Sequence, residues 1–235
     1  MFLVLALTAA PFSYDGDLRA GQTLTIRDIN GNVHVRAGEK LTVRASRTAR
    51  TGDPNAVAIH VEQRPGGLVV CVRYPPDAQA SCEAHHVNVG AHNDTTVDFD
   101  VTVPRGVAVD AGTVNGTVDA TTDGPVDVTS VNGDVRAEGR AVHRAETVNG
   151  SVHVRVLDWP TGSLVAKTVN GSIDLSLPPG SGLALDAHTM NGDITAPGMA
   201  VDRPRYGPGA RVHATSGRGA VAVVLDTING SIAIR

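Results

Sequence analysis

The sequence predicts an all-β protein folded as a right-handed β-solenoid, and three observations lead to this prediction. The motif Thr-Val-Asn-Gly, or a close variant of it, occurs seven times along the 235 residues. Apolar and polar residues alternate on both sides of each motif, which is typical of half-buried strands. The copies are regularly spaced, as in repeats that stack on one another.

Each copy centres on an Asn-Gly pair, where we expect the chain to turn a corner. Asn tolerates the left-handed backbone conformation and Gly has no Cβ that could clash, so the pair suits a tight bend. The predicted structural corners are Asn30-Gly31, Asn115-Gly116, Asn132-Gly133, Asn149-Gly150, Asn170-Gly171, Asn191-Gly192 and Asn229-Gly230.

Counting from each Asn as position zero assigns an orientation to the flanking residues. Positions −6, −4, +3 and +5 are apolar in nearly every copy, so these side chains are expected to form the core. Position −2, usually Thr, shares their parity and is also expected to face inward. Position −1 is always apolar, and we expect it to fill the corner from inside: Ile29, Val114, Val131, Val148, Val169, Met190 and Ile228.

An antiparallel hairpin meander or sandwich is the alternative fold. Asn-Gly is the favoured pair for a two-residue type I′ hairpin, which would also place −2 opposite +3. A hairpin would, however, leave every apolar residue at −1 on the outer face, where a second layer would have to cover it. The solenoid, with two short strands per repeat and Asn-Gly at one corner, is therefore preferred.

The spacing of the motifs indicates one repeat domain. Successive copies lie 17 residues apart from Asn115 to Asn149 and 21 residues apart from Asn149 to Asn191. We expect irregular turns over residues 11–105 and regular ones over 106–235. A degenerate copy near Arg218 lies only 11 residues before Asn229. That distance is too short for a full turn, so the C-terminal end is expected to close as a hairpin.

The first ten residues, MFLVLALTAA, resemble the apolar core and cleavage zone of a secretory signal. We interpret residues 1–10 as a signal-peptide remnant, with a buried N-terminal strand as the alternative. Cys71 and Cys82 flank a Tyr-Pro-Pro-Asp turn and are expected to form a disulfide if the chain is exported. Two free thiols in a reducing compartment are the alternative.

Composition restricts the partners and the core. The chain is 41% hydrophobic but only 3% aromatic, which suits a narrow aliphatic interior. The net charge is −4 and there is no basic run, so a nucleic-acid partner is not expected. After the first ten residues no further hydrophobic segment has the length of a transmembrane helix.

These residues resemble a known family. The T-V-N-G repeats, preceded by DFDVTVP at Asp98–Pro104, look like the bacterial DUF4097 β-strand-repeat proteins, also named putative adhesins. The resemblance extends over about Ile26–Arg235 and is most specific from Val97 onward. It implies a solenoid-like protein that is secreted or associated with the bacterial envelope, and it implies no catalytic residues.

Two sets of side chains are candidates for chemistry. His85, His86 and His92 follow Cys82 in a polar loop and are weak candidates for metal ligands, since their spacing fits no standard zinc site. Four carboxylates at outward strand positions could line the groove of a polysaccharide-cleaving enzyme, which needs two of them across its substrate. These four are Asp119, Asp127, Asp134 and Asp174.

The sequence favours a non-enzymatic function without a cofactor. The outward carboxylates are interspersed with Arg and His, as on an ordinary solvated face. We therefore predict an exported envelope scaffold or binding module, located in the periplasm, at the cell surface or outside the cell. Its partner would be an unknown protein or glycan, and self-association is compatible with the repeats. A polysaccharide-acting β-helix enzyme and an envelope-stress sensing component are the alternatives.

Overall fold

A computed structural model describes residues 6–82, 93–158, 162–180, 182–217 and 221–235. These residues form one sheet of eleven strands, one sheet of ten strands and a short 3-10 helix at Pro54–Ala56. The strands of the first half are β1 (Leu7–Thr8), β2 (Phe12–Gly16), β3 (Thr23–Arg27), β4 (Val33–Gly38), β5 (Leu41–Ala49), β6 (Ala58–Arg64), β7 (Gly67–Arg73) and β8 (Thr96–Pro104). Those of the second half are β9 (Ala108–Gly112), β10 (Val118–Thr121), β11 (Pro125–Thr129), β12 (Val135–Gly139), β13 (Ala141–Glu146), β14 (Val152–Val156), β15 (Leu164–Asn170), β16 (Ile173–Ser176), β17 (Leu183–Asn191), β18 (Ile194–Thr195), β19 (Ala210–Ser216), β20 (Val221–Asn229) and β21 (Ile232–Ile234).

The two strands that flank each Asn-Gly pair belong to different sheets. We call such a strand pair a rung and name it by its Asn. In the Asn132 rung, β11 lies in the ten-stranded sheet and β12 in the eleven-stranded sheet. Each strand pairs in parallel with its equivalent in the next rung, as β10, β12, β14 and β16 do in turn. The all-β prediction and the two-strand repeat are confirmed, and the hairpin alternative is wrong at these corners.

The core between the sheets consists mainly of Val, Ala, Ile and Leu. In the Asn132 rung the side chains at −6, −4, +3 and +5 are fully buried, in agreement with the predicted register; they are Val126, Val128, Val135 and Ala137. The buried residues form a continuous cluster along the stack. Phe99 and Tyr74 are its buried aromatic members, and both lie in the first half of the chain. From Val107 onward the buried members of the cluster are all aliphatic.

Position −2 faces inward, as predicted, and its hydroxyl has a specific partner. Thr147 is 5% exposed, and its Oγ1 donates to the carbonyl of Gly133 on the neighbouring rung at 2.8 Å. Thr168 makes the same bond to Gly150 at 2.8 Å. The hydroxyl therefore satisfies a backbone acceptor at the corner while its methyl group packs in the core.

The glycine of each corner is required because neighbouring rungs approach closely. A Cβ built on Gly150 would lie 2.2 Å from the carbonyl oxygen of Gly133, and one on Gly171 would lie 1.9 Å from that of Gly150. The role predicted for Asn is wrong. Among the described residues only glycines have positive φ, including Gly150 at 157°. Asn is therefore selected by its side chain and not by a left-handed backbone.

The prediction for position −1 is also wrong, because this side chain points outward. Val114, Val131 and Val148 are each about two-fifths exposed and Met190 is 55% exposed. Strand alternation continues through −1, so an inward −2 places −1 on the outer face. Only Ile29, in the first rung, is buried. The phase therefore changes at Asn-Gly itself, and an exposed apolar column runs along the corner.

The spatial order of the rungs departs from their order in the chain at both ends. The Asn229 rung lies between the Asn170 and Asn191 rungs, because β20 pairs in parallel with both β15 and β17. The Asn30 rung similarly lies between β7 and β9 in one sheet and between β8 and β10 in the other. The expected C-terminal hairpin is not formed: β19 pairs antiparallel with β17, on the side away from β20.

The first half of the chain closes the other end of the stack. There β5 pairs antiparallel with β8, and β6 pairs antiparallel with β7. Part of the segment interpreted as a signal remnant is structured here, since Leu7 and Thr8 pair with Ala49 and Thr48 of β5. The described part of residues 1–10 thus includes a short strand, β1, at the edge of the eleven-stranded sheet.

Candidate functional site

The corner asparagines form a hydrogen-bonded ladder along the stack. The Nδ2 of Asn149 donates to Oδ1 of Asn132 at 2.8 Å, and Nδ2 of Asn170 donates to Oδ1 of Asn149 at 2.8 Å. Each inner amide thus uses its donor on one neighbour and its acceptor on the other. The ladder explains the seven repeated Asn residues as structural, since their side-chain amides bond to one another.

Cys71 and Cys82 are joined by a disulfide, with their Cα atoms 5.7 Å apart. Cys71 lies in β7, and the bridge holds the following loop against the end of the stack. The backbone N–H of Cys82 also donates to Glu62 of β6 at 2.7 Å, and this bond lowers the pKa of the Glu62 carboxyl. Such a bridge is expected in an oxidising compartment.

The metal-ligand candidates His85, His86 and His92 lie outside the described residues. Within the described ranges, no three His, Cys, Asp or Glu side chains are grouped so that they could hold a metal ion. The candidate ligands therefore stay a sequence-based prediction.

The four carboxylate candidates for glycoside chemistry are held apart. On the eleven-stranded sheet Asp119 lies 3.5 Å from Arg136, and Asp174 lies 3.4 Å from His153. Asp134 accepts a hydrogen bond from the backbone N–H of Ser151 at 2.7 Å. The fourth, Asp127, lies on the ten-stranded sheet beside Arg144. These carboxylates have local partners in separate places rather than two of them facing one another.

One buried carboxyl was not singled out by sequence reasoning. Asp28 occupies the −2 position of the first rung, where most copies have Thr, and is only 5% exposed. Burial raises its pKa to about 7, with a contribution from the nearby Asp98 carboxylate. Its Oδ1 atom has no hydrogen-bond partner, and its Oδ2 accepts from Thr113 at 3.5 Å. The substitution at a known repeat position is the signal that could have identified it.

A projecting loop at the Asn191 end of the stack carries an exposed aromatic side chain. Tyr206 is 84% exposed, and the guanidinium of Arg205 lies 5.7 Å from the centre of its ring. The other described aromatic rings are buried or partly buried. Tyr and Arg are enriched among the residues that dominate binding energy at interfaces. This loop is therefore the candidate binding site.

The base of the loop is anchored, so that Tyr206 projects from a defined support. Asp202 pairs with Arg211 of β19 through two backbone hydrogen bonds of 2.8 Å, and Arg203 lies 3.3 Å from Asp193. A groove of about 430 Å³ runs beside the loop, between Arg203, Pro204 and the ends of β17 and β19. Of the loop residues that precede Tyr206, Arg203 and Pro204 line this groove.

The sequence pattern did not predict this loop, because the loop lies outside the Asn-Gly repeats. A local signal was present: Tyr206 is the only aromatic residue after Trp159, and it stands in the Pro- and Gly-flanked string RPRYGPG. Proline and glycine on both sides indicate a surface loop. An aromatic residue in such a segment is expected at the surface rather than in the core.

Comparison with known proteins gives structural neighbours only. No family model matches the chain, and no curated protein matches it. A putative cell adhesion protein from Clostridium sporogenes is 14% identical, with 96% of this chain and 99% of that chain covered and a TM-score of 0.49. A putative adhesin from Bacteroides fragilis is 13% identical over 96% and 97% of the two chains, with a TM-score of 0.35.

A further solved structure is similar over a comparable length. It is a putative adhesin from Parabacteroides distasonis, 11% identical over 96% of this chain and 97% of that chain, with a TM-score of 0.28.

None of the helices in the described part of the chain has the length and hydropathy needed to span a membrane.

Proposed function

We propose that this protein is a non-enzymatic, exported adhesin-type binding module that contacts a protein or glycan of the bacterial envelope through the Tyr206 loop. The observation that carries the proposal is the exposure of Tyr206 in a chain whose other described rings are at least partly buried. The ring lies beside the guanidinium of Arg205 and is open to a partner. Stacking and cation–π contacts are available there to a sugar face or to an aromatic side chain.

The scaffold proposed for this module is a right-handed β-solenoid of the DUF4097 type. The alternation of rungs between two sheets and the parallel pairing of equivalent strands support a coiled path. Solenoids present loops at their ends and long regular faces at their sides. In this arrangement the Tyr206 loop is an end loop, which leaves the stack free to act as a spacer.

The proposed export rests on two features. The Cys71–Cys82 disulfide is of the kind that persists in oxidising compartments, and residues 1–10 resemble a secretory signal. A bridge that closes a loop of 11 residues stabilises a domain by about 2–3 kcal/mol in the chain-entropy account. A thiol titration of protein isolated from the native envelope, with and without denaturant, tests the oxidation state directly.

A binding role is favoured over polysaccharide cleavage by the partners of the surface carboxylates. Asp119 and Asp174 each lie beside a basic side chain on a neighbouring strand, whereas glycoside cleavage requires a second carboxylate across the substrate. Release of reducing ends from envelope polysaccharides is therefore not expected. Measurable turnover that is lost in Asp174→Asn would favour the enzyme instead.

The binding proposal is tested with the purified chain on an array of envelope glycans and against a fractionated envelope extract. We expect saturable binding to at least one component, weakened about tenfold or more by Tyr206→Ala, which corresponds to about 1.4 kcal/mol. Leu157→Ala is the matched control, because Leu157 is also exposed, at 47%, but directly follows β14, away from the loop.

The result that would overturn the proposal is equal binding by wild type, Tyr206→Ala and Leu157→Ala. Binding confined to one envelope protein, with no glycan signal, would direct the proposal toward the stress-sensing alternative. Melting temperatures of the two variants should match that of the wild type, since neither side chain is buried.

A further inference from the structure

The outer face of the ten-stranded sheet carries an apolar surface over four neighbouring strands. In spatial order these strands are β13, β15, β20 and β17. We call their outer side the docking face. Its −1 column consists of Val148, Val169, Ile228 and Met190, and three of these side chains are 40–55% exposed. Its −5 column contributes Val165 and Val224 at the two central strands, both partly exposed.

The opposite sheet has a different outer face. There the outward side chains are charged and contact one another across strands, as Arg136 contacts Asp119 and Arg155 contacts Glu138. Exposed apolar side chains next to polar ones, as on the docking face, are typical of an interaction site. A groove of about 480 Å³ between the −1 and −3 columns adds space for side chains of a partner.

The −3 column of the docking face alternates between acidic and basic side chains. In spatial order it reads Glu146, Lys167, Asp226 and His188, and strand register places each beside the next. The same register sets Arg144 beside Val165, then Val224, then Asp186, in the −5 column. These residues are exposed or partly exposed.

When the order of strands is reversed, as in a second copy facing the first, each column presents complementary side chains to the original column. Reversing the −3 column about its centre places Lys167 opposite Asp226 and Glu146 opposite His188. Reversing the −5 column places Val165 opposite Val224 and Arg144 opposite Asp186. A self-complementary pattern of this kind is what a two-fold interface between identical chains requires.

We propose that the docking face binds the same face of a second copy of this chain, about a two-fold axis that runs parallel to the strands between β15 and β20. Lys167 then faces Asp226 of the partner subunit, and Val165 faces Val224 of the partner subunit. The −1 columns meet side by side, with Val169 against Ile228 of the partner subunit. Apolar contact supplies the attraction and the charges select the register.

Other two-fold axes are disfavoured by the same residues. An axis centred on β15 would place Lys167 opposite Lys167 of the partner subunit. An axis that runs along the −3 column would place every residue of that column opposite its own copy. Moving the axis to lie between β13 and β15 would place Arg144 opposite Val165. Like charges or a charge against an apolar side chain cost free energy at an interface.

The size of the docking face indicates a weak dimer. Four strands spaced about 4.8 Å apart and five residues at about 3.3 Å each give a footprint of about 19 by 17 Å. This is below the ~800 Å² per partner of a standard stable interface. We therefore expect a dissociation constant of roughly 10 μM to 1 mM, a range typical of small transient contacts.

Sedimentation equilibrium of the purified chain, from low micromolar to about 1 mM, tests the proposal. The wild type should show a monomer–dimer equilibrium in the range expected for a small interface. Lys167→Asp and Asp226→Lys should each weaken the dimer about tenfold or more, because each places like charges opposite one another. An equimolar mixture of the two variants should restore association, since Asp at 167 then faces Lys at 226 of the other chain.

Arg155→Asp on the opposite sheet is the matched control and should leave the association unchanged. Circular dichroism and melting curves verify that the charge variants are folded. A wild-type chain that stays monomeric at 1 mM would overturn the proposal. So would a dimer that neither variant weakens, or a variant mixture that associates no better than its components. His188 and Met190 of the docking face also line the groove beside the Tyr206 loop, so the two proposed sites adjoin. Tyr206 is not part of the docking face, and Tyr206→Ala should dimerise as the wild type does.

Discussion

The side-chain amide of Asn132 donates to Oδ1 of Asn115 at 2.8 Å, and an equivalent bond joins every neighbouring pair of corners. In spatial order the ladder is Asn30, Asn115, Asn132, Asn149, Asn170, Asn229 and Asn191. An inner member needs both a donor and an acceptor at one side-chain length. Among the side chains of that length only Asn meets the requirement, because Asp lacks the donor.

Removing an inner amide should cost more than removing a terminal one. Asn149→Ala breaks two ladder bonds and should lower the free energy of unfolding by about 1–2 kcal/mol. Asn191→Ala breaks one bond at the end of the ladder and should cost about half as much. Urea denaturation measures both values. Equal losses of unfolding free energy in the two variants would show that the cost does not depend on the number of ladder bonds broken.

A methyl group at a corner glycine should be barely tolerated. Gly150→Ala would place its Cβ 2.2 Å from the carbonyl oxygen of Gly133, so neighbouring rungs would have to separate. We expect a loss of about 3 kcal/mol or more in the free energy of unfolding. Gly66→Ala is the control, because its Cβ would meet no atom within 4 Å. A stable Gly150→Ala variant would contradict the close approach of the rungs.

Position −1 should tolerate charge, whereas position +3 should not. Val148 is 40% exposed and Val152 is fully buried. Val148→Asp should therefore change stability by about 1 kcal/mol or less, and Val152→Asp should prevent folding because it buries an unpaired carboxylate. Thermal melting distinguishes the two. If Val148→Asp and Val152→Asp unfold to a similar extent, the inward orientation that the sequence pattern predicts for −1 would be supported instead.

The buried Asp28 should make stability depend on pH. Its pKa is raised to about 7 in the folded protein, from an ordinary value of 3.8, mainly because burial disfavours the charged form. The folded state therefore holds this proton more tightly. The contribution of Asp28 to stability is most favourable below about pH 4, falls as the pH rises to about 7 and is level above that.

Asp28→Thr restores the residue found in most other copies and removes this dependence. The unfolding free energy of the variant minus that of the wild type should increase by on the order of 2–4 kcal/mol as the pH rises from 4 to 7. Guanidinium denaturation at both pH values measures the difference, and pH effects common to both proteins cancel. A gain that is independent of pH would show that Asp28 does not titrate in this range.

The local register was largely predictable because it depends on alternation alone. The inward Thr at −2 and the buried Val126 and Val135 follow from period-two patterning, which a strand imposes on any sequence. The orientation of Val148 was not predictable in the same way. An apolar residue indicates burial on average, but alternation fixes its direction once Thr147 is bonded inward.

The candidate site was less accessible to sequence reasoning. Pairing of Cys71 with Cys82 could be expected from a secreted context, whereas the exposure of Tyr206 depends on how the end loop is anchored. That anchoring joins Asp202 to Arg211 and Arg203 to Asp193, contacts that no local pattern specifies. The docking face likewise depends on which strands are neighbours.

By itself the sequence determined the strands, the corners and the aliphatic core, because each follows from interactions between residues close in the chain or equivalent in successive copies. Only the tertiary structure decided the order of the rungs. The equal spacing of Asn149, Asn170 and Asn191 suggests consecutive stacking, yet the Asn229 rung lies between the last two. Identical corners can pair with any neighbour, so long-range strand pairing and the capping strand β19 select one order, and the self-complementary docking face exists only in that order.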